Sequence, residues 1–284
     1  MAPTPRVSVV ITTYNRSDAL LAVLRGLALQ THPPFEVVVA DDGSTAEHRN
    51  RLLGAPVAKT VKLTHVWHPD VGFTAAKVRN RGVASTSGDY LIFLDGDCIP
   101  EVDFIERHVK LAQTKCFVNG SRVLLSPNFS ELVCLDAIQV CGRGIAFWIR
   151  QYCSGNANKV SGTLRLPDWA GRLQPNFSWK GIRSCNMGVW RHDFETVGGF
   201  DESFVGWGHE DADFVLRLHH AGVVRKNGFC ATEVLHLWHP EAARGQASAN
   251  AQSVLDRLRS GQIYATQGYI TNRSDDDAVI TTLG

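Results

Sequence analysis

Residues 90–100 read YLIFLDGDCIP, an apolar run that leads straight into Asp95, Gly96 and Asp97. Two carboxylates one residue apart can hold a divalent cation, because hard cations take oxygen ligands. A plain turn at a strand end uses the same residue types, so other polar positions must decide between the two. Two further apolar runs end in a similar way. VSVVITT (7–13) leads into Thr12, Thr13 and Tyr14, and FEVVVADDGS (35–44) ends in Asp41 and Asp42. Asp41 could equally close the turn before Gly43.

A second group of polar residues lies downstream. Residues 211, 214, 215 and 218 share one helical face, and the last three are Phe, Val and Leu. A carboxylate on a core-facing stripe is costly if fully buried. In the first turn of a helix Asp211 can instead emerge at a cleft edge, where the helix dipole favours its anion. That position suits a general base that stays ionised and fails only in acid. Glu210 stands beside it, although acids also gather at helix starts for charge reasons alone. Asp213 lies on another face, four residues before Arg217, and reads as a surface ion pair. His236 and His239 end the stretch ATEVLHLWHP (231–240), where two imidazoles could complete a metal site. His219 and His220 read as ordinary helix residues. Lys77 and Arg81 share a helical face that Arg79 does not, and Arg81 reads as solvated.

These residues need elements to position them. Strands are expected at 7–13, 35–44, 61–68, 90–94, 183–191 and 231–240. Helices are expected after 17, after 44, at 73–85 and at 208–222, with helical composition to about 265. Ser17 offers a helix cap, and Ser44 with Glu47 has capping-box spacing. Strands alternating with helices imply a mainly parallel sheet covered on both faces. Ligands bind beyond the carboxyl ends of such strands, and the three polar strand tips all lie on that edge. Residues 151–182 lack periodicity and read as irregular structure, a lid or acceptor loop. The expectation is one domain over 1–270, with a nucleotide-binding half to about 125, an acceptor half over about 126–265, and a loose tail over 271–284.

Composition narrows the class. The 284 residues are 44% hydrophobic and 20% charged with net charge +1, enough for a core and without the basic stripe of a nucleic-acid binder. No apolar run nears the ~18 residues of a membrane span. The start of the chain enters a strand with no signal-peptide pattern. Seven cysteines without a CxxC pair read as reduced thiols of a cytoplasmic protein, in which the sequons at Asn128, Asn176 and Asn272 carry no meaning.

VSVVITTYNR, VVVADDGS, KVRNRG, LDGDC, VGGFDESFVGWGHEDADF and LHLWH occur in the order that characterises family 2 glycosyltransferases of the GT-A fold, and the chain resembles them over about 6–240. The segment 196–222 resembles the region shared by β-1,4-galactosyltransferases, polypeptide GalNAc-transferases and bacterial chondroitin polymerases. The resemblance implies a Rossmann-like α/β sheet and an inverting, metal-dependent transfer of a hexose or N-acetylhexosamine from a nucleotide sugar. It favours a UDP-linked donor, with Mn²⁺ or Mg²⁺ as cofactor. It places Asp95 and Gly96 near the ribose and Asp97 on the metal, with His236 favoured over His239 to complete the metal's shell. It puts Asp42 on the uracil, Thr12, Tyr14 and Arg16 in the nucleotide pocket, and Lys77 and Arg79 beside it. It assigns Glu210 and Asp211 to the acceptor hydroxyl and sets Trp207 against a sugar face or in the core. His209 departs from the Gly-Gly-Glu-Asp form of the galactosyltransferases and leaves the acceptor open. A glycan or glycolipid acceptor in bacterial surface polysaccharide assembly would bring peripheral contact with the inner membrane face.

Three other readings fit the residues less well. A dehalogenase-type phosphatase would carry its Asp pair on the first strand and Thr or Val where Ile99 stands. A nucleotidyltransferase would need a Gly-rich basic loop where TTYNRS lies. A non-catalytic sugar-binding module would not need Asp97, Asp211 and His236 together.

Overall fold

The computed structural model describes residues 4–240 except Val205 and Trp207, together with 247–269 and 277–283. The chain opens with β1 (Val7–Thr13), α1 (Ser17–Ala28), β2 (Glu36–Asp41), α2 (Ala46–Gly54), β3 (Leu63–Trp67), α3 (Ala75–Ala84) and β4 (Tyr90–Asp95). β5 (Cys98–Pro100), α4 (Phe104–Leu111), β6 (Cys116–Asn119), β7 (Ser121–Leu124), α5 (Pro127–Cys134) and α6 (Ile145–Cys153) follow. β8 (Leu173–Gln174), β9 (Asn186–Trp190), α7 (Arg191–Thr196), α8 (Glu210–His220), β10 (Val224–Asn227), β11 (Glu233–His236), α9 (Ala247–Ser260) and β12 (Val279–Leu283) complete it.

The first four strands build a parallel sheet in the order β3-β2-β1-β4. β1, β2 and β4 are mainly apolar and almost wholly buried, as a sheet covered on both faces requires. Alternate residues feed opposite layers. Val9, Ile11, Ile92 and Leu94 pack on one face with Leu20, Val23, Leu24 and Leu27 of α1. Val10, Leu91 and Phe93 pack on the other with Val78 of α3, Phe194 of α7, and Phe214 and Leu218 of α8. Phe200 and Phe214 stack there at 4.4 Å between ring centroids.

Beyond β4 the sheet becomes mixed. β9 runs antiparallel between β4 and β6, and the full order is β12-β3-β2-β1-β4-β9-β6-β10-β8. The two expected halves therefore share one sheet. A second sheet, β5-β11-β7, was not anticipated. It pairs β5, just past the DGD, with β11, so that Cys98 lies opposite His236.

Several local expectations are corrected. Ser17 is the first residue of α1 and caps nothing; its Oγ lies 2.9 Å from His48 Nδ1. Ser44 and Glu47 form no capping box: α2 starts after Thr45, and the Ser44 hydroxyl instead accepts from the Asn15 amide at 2.8 Å. Arg81 is buried rather than solvated and pairs with Asp277 at 2.6 Å. That contact accompanies a larger correction, because Val279–Leu283 is not loose. It adds β12 antiparallel to β3 along an otherwise open edge.

Asp213 is the last. Its predicted surface ion pair is completely buried, with Arg217 Nε 2.9 Å from Asp213 Oδ2. Arg257 of α9 bonds the other Asp213 oxygen and also Asp201 at 2.8 Å. Arg217 further donates to the Val197 carbonyl at 2.6 Å. Burial raises the Asp213 carboxyl, and Arg217 and Arg257 oppose that rise. This network ties α8, α9 and the turn before α8 together, which holds the start of α8 in place.

Candidate active site

The tips of β1, β2 and β4 open into a cleft of about 930 Å³, within the range of ligand pockets. Its lining includes Thr12, Tyr14, Arg16, Asp42, Arg79, Asp95, Gly96, Asp97, His239, Glu210 and Asp211. Residues far apart in sequence therefore converge. Lys77 is not among the lining residues, and Trp207 lies outside the described residues.

Hydrogen bonds along β1 and β4 place Thr12 opposite Asp95. The Gly96 amide donates to the Thr12 carbonyl at 2.8 Å, and a Cβ at Gly96 would sit 3.1 Å from that oxygen. The close approach favours glycine between the two carboxylates, since a Cβ would have to push the neighbouring backbone aside. Thr12 Oγ1 is buried and has no hydrogen-bond partner among the described residues.

Asp41 and Asp42 divide their work. Asp41 accepts from the Ser44 amide at 2.8 Å and pairs with buried His65 at 2.9 Å, so it closes the turn and faces away from the cleft lining. Asp42 lines the cleft, accepts from the Thr74 amide at 2.9 Å, and has His68 Nε2 at 3.2 Å. Tyr14 donates its hydroxyl to Asp70 at 2.8 Å. That bond and the burial around it raise the phenol.

Asp97 is bracketed by both histidines. His239 Nε2 lies 3.2 Å from one carboxylate oxygen and His236 Nε2 3.8 Å from the other. Burial pushes the Asp97 carboxyl up to about 6, Asp95 adds to the rise, and His239 opposes it. Burial, followed by Arg122, His239, Arg183 and Arg16, drives His236 down to about 3, so its imidazole is neutral, the form that ligates metals. Asp97, Cys98 and His236 also bring ligand atoms within 4.8 Å of one another. Burial holds the Cys98 thiol protonated, and it donates to Asp97 at 3.5 Å. Asp97, His236 and His239 could therefore offer one carboxylate oxygen and two imidazole nitrogens to a divalent cation of the first transition series.

Across the cleft, α8 begins abruptly. Gly206 and Gly208 have φ of 77° and 106°, and His209 takes a left-handed φ of 71° at the helix cap. A non-glycine residue held there stores strain of the kind that clusters at functional sites. Asp211 follows in the first turn and accepts from the Ala212 amide at 2.8 Å. The expected dipole effect is outweighed. Burial, reinforced by the charge of Glu210, lifts the Asp211 carboxyl to about 7, with Arg79 opposing.

Arg79 joins the two sides. Its guanidinium contacts Asp95 at 3.4 Å and Glu210 at 3.2 Å. Burial disfavours its charge, but Asp95, Glu210 and Asp211 outweigh that and keep it charged. Arg79 thus ties the DGD tip to the start of α8 while lining the cleft. Sequence reasoning missed Asp70, Phe73, Trp179, Arg122 and Arg183 as lining residues. None carries a local signal, because strand register and loop path bring them in.

Residues 8–133 match the model described as glycosyl transferase family 2, and 170–239 match that of the N-terminal domain of galactosyltransferase. This chain belongs to glycosyl transferase family 2. The chain is 31% identical over 235 residues to validoxylamine A glucosyltransferase of Streptomyces hygroscopicus subsp. limoneus, covering 77% of this chain and 49% of that protein. It is 28% identical over 227 residues to chondroitin synthase of Pasteurella multocida, covering 75% and 23%. The chain thus spans about half or less of these curated relatives. The family 2 domain superposes on a mannosyltransferase from Pyrobaculum calidifontis in complex with GDP-Man and Mn²⁺, with TM-score 0.57 and 16% identity over 92% of this chain and 70% of that one. It also superposes on GalNAc-T7 with UDP, GalNAc and Mn²⁺, with TM-score 0.61 and 15% identity over 90% and 48%. The fold is that of the GT-A glycosyltransferases.

Proposed function

We propose that the family 2 domain transfers a hexose or N-acetylhexosamine from a UDP-sugar to a glycan or glycolipid hydroxyl with inversion, using Mn²⁺ or Mg²⁺. One observation carries this reading. A single cleft brings Asp97, flanked by His236 and His239, together with Asp211 at the start of α8.

Asp97, His236 and His239 would hold the cation, which would neutralise charge gathering on the departing diphosphate. Thr12, Tyr14, Arg16, Asp42 and Asp95 would receive the nucleotide, with Asp42 fixed by Thr74 and His68 for the base. Asp211, raised to about 7, has the basicity to take a proton from an acceptor hydroxyl near neutral pH. Glu210, anchored on Arg79, would orient that hydroxyl. The freed oxygen would attack the anomeric carbon from the face opposite the diphosphate, which inverts it.

No helix among the described residues is long and apolar enough to cross a membrane. All seven cysteines are free thiols, which supports a reducing, cytoplasmic setting. A role in bacterial surface polysaccharide assembly, with peripheral contact through a lipid-linked acceptor, belongs to the same proposal. A panel of nucleotide sugars with Mn²⁺ tests it. The true donor should raise the melting temperature and be hydrolysed slowly. Stabilisation with no transfer to any glycan acceptor would instead favour a binding module.

A further inference from the structure

Two arginines of the cleft, Arg122 and Arg183, make no ion pair among the described residues. The other two basic side chains of the lining are engaged, Arg79 by Asp95 and Glu210 and Arg16 by Asp18. Arg122 sits in β7 opposite Val234, two residues before the Leu124–His236 pair, so it shares a sheet face with His236. Arg183 is stitched to the end of β6, its amide donating to Asn119 Oδ1 at 3.4 Å and Asn119 Nδ2 donating to the Gly181 carbonyl at 3.2 Å. Ser184, the next residue, lines the same cleft as Asp211, and its backbone helps hold that carboxyl down. Lys159 donates to Ser121 Oγ at 2.6 Å, and burial lowers its amine with Arg183 and Arg122 adding to the effect.

We propose that Arg122 and Arg183 form an oxyanion subsite for a carboxylate or phosphate carried by the acceptor. The inference rests on reading the cleft as a glycosyl-transfer site with Asp211 as its base. Strand order sets Arg183 apart from the nucleotide: Thr12, Tyr14 and Asp42 belong to the tips of β1 and β2, whereas Arg183 precedes β9, on the far side of β4. Arg122 lies in β7 of the second sheet, on the His236 side of the cleft, and the UDP affinity of its variants decides whether it serves the donor instead. The diphosphate's charge has its own partner in a cation at Asp97. Arginine's planar fork matches a carboxylate or phosphate with two parallel hydrogen bonds. An acceptor sugar bearing such a group would be held with its hydroxyl toward Asp211.

The test titrates glucuronate, glucose 6-phosphate and glucose, by ligand-observed NMR, into protein saturated with UDP and Mn²⁺. Wild type should bind one of the charged sugars about tenfold or more tightly than glucose, and which one identifies the anion as carboxylate or phosphate. That preference should weaken with added salt. Arg122→Gln and Arg183→Gln should each remove most of it, since a charge-assisted bond is worth about ten- to hundredfold. Arg→Lys at either position should restore part of it, and UDP affinity should hold throughout.

Equal binding of the three sugars by wild type overturns the proposal. So does a preference that survives the double substitution. A roughly tenfold loss of UDP affinity in the variants also overturns it, by assigning the pair to the donor diphosphate. If wild type does not bind UDP with Mn²⁺, the nucleotide-sugar reading fails on its own. The same titration without nucleotide then decides the subsite: a charge preference lost in the variants supports it, and none overturns it.

Discussion

Replacing Asp211 with Asn keeps the shape of the side chain and removes its ability to take a proton. Transfer should fall by about 10²–10⁴-fold, the usual share of general acid–base catalysis, while UDP affinity measured separately stays unchanged. The structure adds a second readout. Burial and Glu210 raise this carboxyl from 3.8 to about 7, so between about pH 4 and 7 the native state holds a proton that the unfolded chain has released. Its contribution to stability is therefore lost as pH rises through that window. A rise of about three units corresponds to at most ~4 kcal/mol. Partial exposure and sharing of charge with Glu210 reduce it to ~1–2 kcal/mol. Asp211→Asn should thus melt about 3–6 °C above wild type at pH 8 and level with it at pH 4. Wild-type transfer should fall about tenfold per pH unit below pH 7, a slope the variant should lose. Near wild-type transfer by the variant would refute the assignment and pass the role to Glu210. Early unfolding of the variant with lost UDP affinity would make Asp211 a structural residue.

The other side of the cleft gives further expectations. Asp97→Ala should lose Mn²⁺-dependent turnover, and full activity of that variant in a chelator would remove the metal from the reading. His236→Ala should weaken Mn²⁺ binding by more than the roughly 10–100-fold typical of an outer-shell partner, and more than His239→Ala; titration calorimetry would reveal the opposite order. Asp213→Ala leaves two buried arginines without their shared carboxylate and should cost about 3–5 kcal/mol in urea unfolding. A loss under ~1 kcal/mol would show the network to be dispensable.

The local pattern already contained the strand tips. Apolar runs that end in Thr, Asp-Asp and Asp-Gly-Asp mark buried parallel strands, and ligands gather at their carboxyl ends for topological reasons. Asp97, Asp211 and His236 were legible because each breaks a periodic apolar element at its end. Other features depend on contacts distant in sequence. The pairing of β5 with β11, which carries His236 toward Asp97, joins segments about 140 residues apart. Asp213 is met by Arg257 of α9, and Arg81 by Asp277 just before β12, both far away in sequence. Propensity alone reads such charged residues as surface because it does not see what packs above them. The same limit explains Asp211. A helix start favours its anion, but desolvation by the assembled cleft outweighs the dipole. Residue order determined the strands and their polar tips; the tertiary structure decided which charges lose water, and that loss sets the chemistry of the cleft.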